Sequence, residues 1–227
     1  MLIFWLLILS FDILKFANFG LASNIIYVEA KDSIQKAVNS ANSGDIILIK
    51  KGVYKEYPLF INKSLTIIGE SREETVIDGD NSASLIINVL ADNVKIINLT
   101  VQNTAYSYPP AQIGIQITGV KNVEIADCII RYCARNLRLH CSMYSKILRN
   151  RIEQALTGGY GIHLDENSIY NEIVGNNITS SAVGIQVERT AINNTIYHNI
   201  FLNNYVDVGG PISGANNRWH NGYPSGG

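Results

Sequence analysis

Cysteine is scarce in this sequence: three residues, at positions 128, 133 and 141. An odd count excludes a complete disulfide framework, and the lack of any C-x-x-C pair argues against a zinc site. Cys128 is expected to face inward as a core thiol; Cys133 and Cys141 could pair, which the sequence leaves open. Charge is also sparse, at 16% of residues with a net charge of −1, against about 25% charged in an average globular protein. Such a balance gives no electrostatic case for nucleic acid or an anionic membrane. Soft metal ligands are few: four His, three Cys and Met143, with no His or Met cluster. Long apolar runs are missing as well. Met1–Ser10 is short, and Asp12 and Lys15 break the apolar character beyond it, so it falls below the ~20 apolar residues that span a bilayer. With the small residues Gly20-Leu21-Ala22-Ser23 after it, Met1–Ala22 reads as a secretory signal, or alternatively as an uncleaved N-terminal anchor. Either reading puts the body of the chain outside the cytoplasm, with no membrane span in the mature chain.

What the sequence does have is repetition. A six-residue frame, apolar-x-x-Asn-x-apolar, occurs as ILRNRI at 147–152, IVGNNI at 173–178 and IYHNIF at 196–201, with degenerate copies IINLTV at 96–101 and IADCII at 125–130. The steps between copies are 29, 22, 26 and 23 residues, the range expected of a solenoid. Each later copy comes after a second motif: GIQI (114–117), NLRL (136–139), GIHL (161–164) and GIQV (184–187). Alternation over four to six residues marks strands, not helices. A repeat of about 23 residues is too short for strand–helix–strand crossovers, which need ~30. The chain is therefore expected to coil, each strand lying about 4.8 Å from its counterpart one turn on. Thr104–Ala111 (TAYSYPPA) is the largest insertion.

Stacking places Leu99, Cys128, Asn150, Asn176 and Asn199 in one inward column. A buried amide without partners costs a few kcal/mol, whereas stacked asparagines can bond one another and neighbouring backbone. A structural ladder of Cys128, Asn150, Asn176 and Asn199 is thus expected. Upstream, Ile34, Ala37, Val38 and Ala41 share one helical face. Asp32 or Ser33 can cap that helix, expected at about 33–42 and closing the open end of the coil. Asp78 and Asp80 flank Gly79; a turn is the ordinary reading, with a calcium site as the alternative. The domain is expected to span 23–208, with a cap or tail over 209–227 in which Trp219 and Tyr223 cover the last coil.

The same alternation assigns the outward face. One column is Gln116, Arg138, His163 and Gln186; the other is Thr118, His140, Asp165 and Glu188. Columns lie about 6.5–7 Å apart along a strand. In this patch Arg138 could hold a carboxylate and His140 could act as a base beside Asp165. Asp165 and Glu188, in adjacent coils, would approach the ~5–5.5 Å of a retaining glycosidase pair. His140, His163, Asp165 and Glu188 are therefore the candidate catalytic residues, and Gln116, Arg138, His163 and Gln186 the candidate substrate-binding residues. A solvated polar face is the plain alternative.

The GIxL…NxIxxNxI pattern resembles the right-handed parallel β-helix repeats of the NosD-like and pectin-lyase-like families, over roughly residues 25–227. The order GDIILIKKGVY…SLTIIGE…TVIDG resembles the opening of NosD-like proteins. The resemblance implies an all-β, right-handed parallel β-helix with a short capping helix. NosD-like proteins are linked to copper delivery for nitrous oxide reductase, so it also implies a copper-related role. Tyr160-Gly161-Ile162-His163-Leu164-Asp165 resembles the YGxDPHD stretch of β-helical alginate epimerases but lacks the Asp-Pro-His core. The polygalacturonase NTD, DD, GHG and RIK motifs are missing too. The stretch NRWHNGYPSGG at 217–227 resembles a motif found after such repeats in archaeal surface proteins. The expected function is a secreted or cell-surface solenoid, non-catalytic, that binds carbohydrate or serves a structural role. The alternatives are a polysaccharide lyase, hydrolase or epimerase acting on an acidic glycan, and a copper accessory protein. No cofactor is expected; the partner is a polysaccharide or cell-surface glycan.

Overall fold

The computed structural model describes residues 23–106, 112–156, 158–210 and 216–220. The leader expected at 1–22, part of the insertion at 104–111 and much of the tail expected at 209–227, Tyr223 included, lie outside those residues.

Each coil carries three short strands. In one coil these are Glu172–Val174, Asn177–Thr179 and Val183–Val187, after which Thr195–Tyr197 begins the next coil beside the first strand. Every pairing among the described strands is parallel, with register kept from coil to coil, as in Ile147↔Ile173↔Ile196 and Leu137↔Ile162↔Ile185, except for a shift between Asp78 and Ala83. Among the described residues the strands form three sheets of nine, seven and seven strands, stacked in the order of the coil. The six-residue frame is not one strand: Ile173 lies in the first sheet, Ile178 in the second, and Asn176 turns inward at the corner between them.

The corners explain the frame. At this corner successive coils place Asn98, Asp127, Arg149, Gly175 and His198 at φ of 60°, 54°, 53°, 66° and 54°, the left-handed region that a tight reversal requires. The next residue turns into the core, where Asn150, Asn176 and Asn199 stack. Asn150 Nδ2 donates to Asn176 Oδ1 (3.0 Å) and to the Ile125 carbonyl (2.8 Å). Asn176 Nδ2 donates to Asn199 Oδ1 (2.9 Å) and to the Ile147 carbonyl (2.9 Å). Each Oδ1 also accepts a backbone N–H from the preceding coil, as Asn176 Oδ1 does from Asn150 N at 2.9 Å.

Two further inward corners share the same plan. One runs Val94, Val123, Ser145, Asn171, Asn194, Asn217, with Asn171 Nδ2 donating to Asn194 Oδ1 at 3.0 Å and Asn194 Nδ2 to Asn217 Oδ1 at 3.1 Å. The other runs Thr104, Cys133, Ala155, Ser181, Asn204, where Ser181 N donates to Asn204 Oδ1 at 3.0 Å. All three grade from apolar or small residues at the N-terminal end to asparagine at the C-terminal end.

Between corners the interior is stacked isoleucine, leucine and valine. Ile115, Ile117, Leu137, Leu139, Ile162, Leu164, Ile185 and Val187 are all fully buried. The N-terminal end is closed by the helix Ile34–Ser40, with Ser33 as N-cap and Ile34, Ala37 and Val38 buried. Glu56 reinforces that cap by accepting the Ile34 N–H at 2.7 Å. Near the C-terminus Trp219 pairs with Ile196 and packs on the core. The three cysteines are free thiols, with Cys128 and Cys133 buried. Asp78 is held as a turn carboxylate by Gln102 Nε2, Asn103 Nδ2 and the Asp80 N–H.

Replacing Asn176 by Ala strands the Asn150 N–H and the Ile147 carbonyl inside the core. At 1–3 kcal/mol per orphaned buried group, a loss of about 2–4 kcal/mol is expected. Lys146→Ala, which removes an exposed ion pair with Glu172, is expected to cost under about 1 kcal/mol. Urea unfolding of the two variants checks the contrast.

Candidate functional site on the third sheet

The outward face of the third sheet carries the expected columns in strict register. Gln116 pairs with Arg138, Arg138 with His163, and His163 with Gln186; Thr118 pairs with His140. The side chains are joined into one network. Arg138 donates through Nε (2.8 Å) and Nη2 to Asp165 Oδ2, and through Nη1 to Gln116 Oε1 at 3.1 Å. His140 Nδ1 lies 3.4 Å from Asp165 Oδ2. His163 Nε2 lies 3.1 Å from Glu188 Oε1, and Gln186 Nε2 reaches the same oxygen at 3.5 Å. Gln116, Thr118 and Asn88 continue the chain of bonds.

This wiring changes two expected roles. Arg138 does hold a carboxylate, but it belongs to Asp165 of the same sheet, so the guanidinium is already neutralised. Asp165 and Glu188 are held by different partners. One is bound to Arg138 and the Glu166 N–H, the other to His163.

Two members of the face were not foreseen: Arg135 and Tyr160. Simple alternation backwards from Leu137 puts Arg135 inside. At the start of the strands Ile113–Thr118, Arg135–His140, Tyr160–Leu164 and Val183–Val187, however, two successive residues turn inward. A Cβ on Gly114 would meet Cys133 Sγ at 3.0 Å and one on Gly161 the Ile178 Cγ2 at 2.8 Å, both in the core. Asn136 fills the same position, fully buried, bonding Glu153 O and the Cys133 N–H. The position before it therefore emerges beside the first outward column at Arg135, Tyr160 and Val183, while Ile113 stays buried. The recurring Gly114, Asn136, Gly161, Gly184 was the available signal. Arg135 lies over the Tyr160 ring at 5.8 Å, and Tyr160 meets His163 edge-on at 5.0 Å. Arg135 Nε is buried with no hydrogen-bond partner among the described residues.

Burial dictates the electrostatics. His163 is buried, which holds its pKa below the ordinary 6.5 despite the bond to Glu188. Its neutral ring donates Nε2–H to the carboxylate and leaves Nδ1 as a buried acceptor without a partner among the described residues. For Asp165, burial pushes upward, but the Arg138 hydrogen bonds and the Glu166 N–H outweigh it and hold the carboxyl below 3.8. Burial first, and the neighbouring Arg138 charge second, lower the pKa of Arg135; a guanidinium remains charged all the same.

Residues 38–226 match the sequence model of the family described as "Periplasmic copper-binding protein (NosD)". The chain belongs to the NosD family. No curated protein matches it. Solved structures similar to this NosD-family chain include the catalytic domain of a GH87 α-1,3-glucanase in complex with nigerose. That match has 17% identity and a TM-score of 0.65, covering 81% of this chain and 36% of that one. An alginate lyase from Paenibacillus sp. matches at 14% identity and a TM-score of 0.58, over 86% and 74% of the two chains. A carrot pectin methylesterase matches at 13% and 0.51, over 92% and 87%. The likeness is one of fold, the right-handed parallel β-helix, and the chain spans little more than a third of the glucanase domain.

The described residues do not fit a copper site. No three His, Cys, Asp or Glu side chains among them form a group that could hold a metal ion. Cys128 and Cys133 are pushed up to about 12 by burial and so are protonated thiols, not soft thiolate ligands. The NosD description places the family in the periplasm, and no helix of the described residues is long and apolar enough to cross a membrane.

Acid should weaken the fold in two windows. The unfolded chain protonates His163 before the folded chain does, so stability falls as pH drops below 6.5 toward the lower folded value. Asp165, with Asp45 and Glu70, whose pKa values are also lowered, contributes stability that is intact above the ordinary carboxylate values and lost as pH falls through the depressed ones. In urea unfolding across pH, His163→Gln is expected to flatten the upper window and leave the lower one in place.

Proposed function

We propose that this NosD-family chain is an extracytoplasmic solenoid that binds an acidic saccharide across the third sheet without cleaving it. The observation that carries the reading is Arg135: a half-buried guanidinium that makes no ion pair with any described residue and lies over the Tyr160 ring. A ligand carboxylate is the natural complement to such an unpaired, planar guanidinium. Tyr160 offers an apolar ring for a sugar face. Gln116, Gln186 and Asn88 supply amides to hydroxyl groups along the stack, and the coil spacing of about 4.8 Å is close to the length of a sugar unit. The periplasmic setting of the family supports a secreted location.

The same geometry argues against chemistry. A glycosidase acid needs a raised pKa, and Asp165 is held low by Arg138. For a lyase or epimerase built on His140, the adjacent cation that would neutralise the substrate carboxylate is Arg138, already paired with Asp165, while the unpaired Arg135 lies over Tyr160. His163 has its Nε2–H committed to Glu188.

Calorimetric titration with trigalacturonate, with maltotriose as the neutral control, tests the proposal. Trigalacturonate is expected to bind and maltotriose not. Arg135→Gln should weaken binding by about tenfold or more, the equivalent of one charge-assisted hydrogen-bonded contact, with an unchanged melting temperature. Polygalacturonate incubated with the chain should yield no unsaturated or reducing-end product. Product that disappears in the Asp165→Asn variant would replace binding with catalysis, and stoichiometric copper surviving dialysis would overturn the saccharide reading in favour of metal.

A further inference from the structure

A second face of the coil bears a feature that the third-sheet network does not use. The corner between the third and first sheets has its own left-handed column: Asn93, Asn122, Tyr144, Tyr170, Asn193 and Asn216. Tyr144 and Tyr170 are stacked in it, ring centroids 5.3 Å apart and 6° from parallel, both roughly half exposed. One face of Tyr170 is therefore covered by Tyr144. The other face looks along the column toward Asn193 and Asn216, whose side chains are shorter.

Beside this runs an outward column of the first sheet: Lys95, Glu124, Lys146, Glu172, Thr195 and Arg218. Its charges pair off along the stack, Lys95 with Glu124 at 3.6 Å and Lys146 with Glu172 at 3.4 Å. Thr195 then interrupts the alternation. Arg218 sits two coils from Glu172, about 10 Å away at the coil spacing, and makes no ion pair with any described residue. Short side chains on one coil thus form a notch between a tyrosine wall and an arginine arm. Tyr170, Asn193, Thr195, Asn216, Asn217 and Arg218 line a cavity of about 590 Å³, within the size range of small-ligand sites.

We infer that this notch is a second saccharide site, one that takes a single sugar residue carrying a carboxylate. The Tyr170 face stacks on the C–H side of the ring, Asn193 and Thr195 bond hydroxyl groups from the floor, and Arg218 takes the carboxylate. The Tyr144 ring behind Tyr170 fixes its plane, so little side-chain freedom is lost on binding. The inference stands apart from the third-sheet reading, since it shares no residue with it.

The test uses D-glucuronate and D-glucose as probes, read by saturation-transfer NMR and tyrosine fluorescence on the full chain. It is run in the Arg135→Gln background, which weakens the third-sheet face, so that binding lost in the Tyr170 and Arg218 variants is assigned to the notch. Glucuronate is expected to bind saturably there, and more tightly than glucose. Tyr170→Ala should reduce that binding by about tenfold or more and Tyr170→Phe should retain it, because the ring face and not the hydroxyl makes the contact. Arg218→Gln should bring glucuronate down to the level of glucose. Absence of saturable glucuronate binding in the Arg135→Gln chain, or binding that survives Tyr170→Ala intact, would overturn the inference while leaving the third-sheet proposal to its own result.

Discussion

A chain that reverses direction three times per coil buries peptide groups at every corner, and those groups need partners that a strand ladder does not supply. The amides of Asn150, Asn176 and Asn199 meet that need by taking one bond from the coil before and giving others to the carbonyls beside them. Each amide satisfies backbone that water cannot reach. Removing one strands the backbone groups it satisfied and weakens the coil stack on which every outward column is built. The third-sheet face and the tyrosine notch both depend on this interior polar stack.

Much of this was legible from the residues. The six-residue frame located one corner per coil, and the recurring Asn identified its inward position. What the frame concealed was that the residues on either side of that corner belong to two different sheets. Three residues on each side are too few for alternation to distinguish two short strands from one longer one. The second stack, Ser145, Asn171, Asn194 and Asn217, went unread because its asparagines lie in irregular connections, where apolar periodicity gives no guide. The register of Gln116, Arg138, His163 and Gln186 was legible, since in these coils β-pairing carries position from one turn to the next. Arg135 and Tyr160 were hidden for the opposite reason: two consecutive inward residues break the period of two, and only the small-residue column at 114, 136, 161 and 184 betrays it.

The roles assigned to side chains proved less portable than their positions. Arg138 and Asp165 each suggested chemistry when considered alone, yet at 2.8 Å they satisfy each other. A repeated sheet brings complementary charges together as readily as it assembles a site, and on such a surface the informative residue is the one left over. Arg135 on one face and Arg218 on another are of that kind. The solved β-helices that resemble this NosD-family chain share its backbone path at 13–17% identity, and so carry no information about which columns are used.

The grading of the three corners, from Leu99, Val94 and Thr104 to Asn199, Asn217 and Asn204, gives the rod a polarity with an evolutionary reading. Toward the N-terminal end each coil is keyed to its neighbours by the particular shapes of apolar side chains, and an inserted turn would have to be refitted there. Toward the other end successive turns meet through interchangeable amides, so a duplicated or deleted turn finds a matching neighbour at once. A turn added or removed is therefore accommodated more readily among the amide-lined coils than near the capped end.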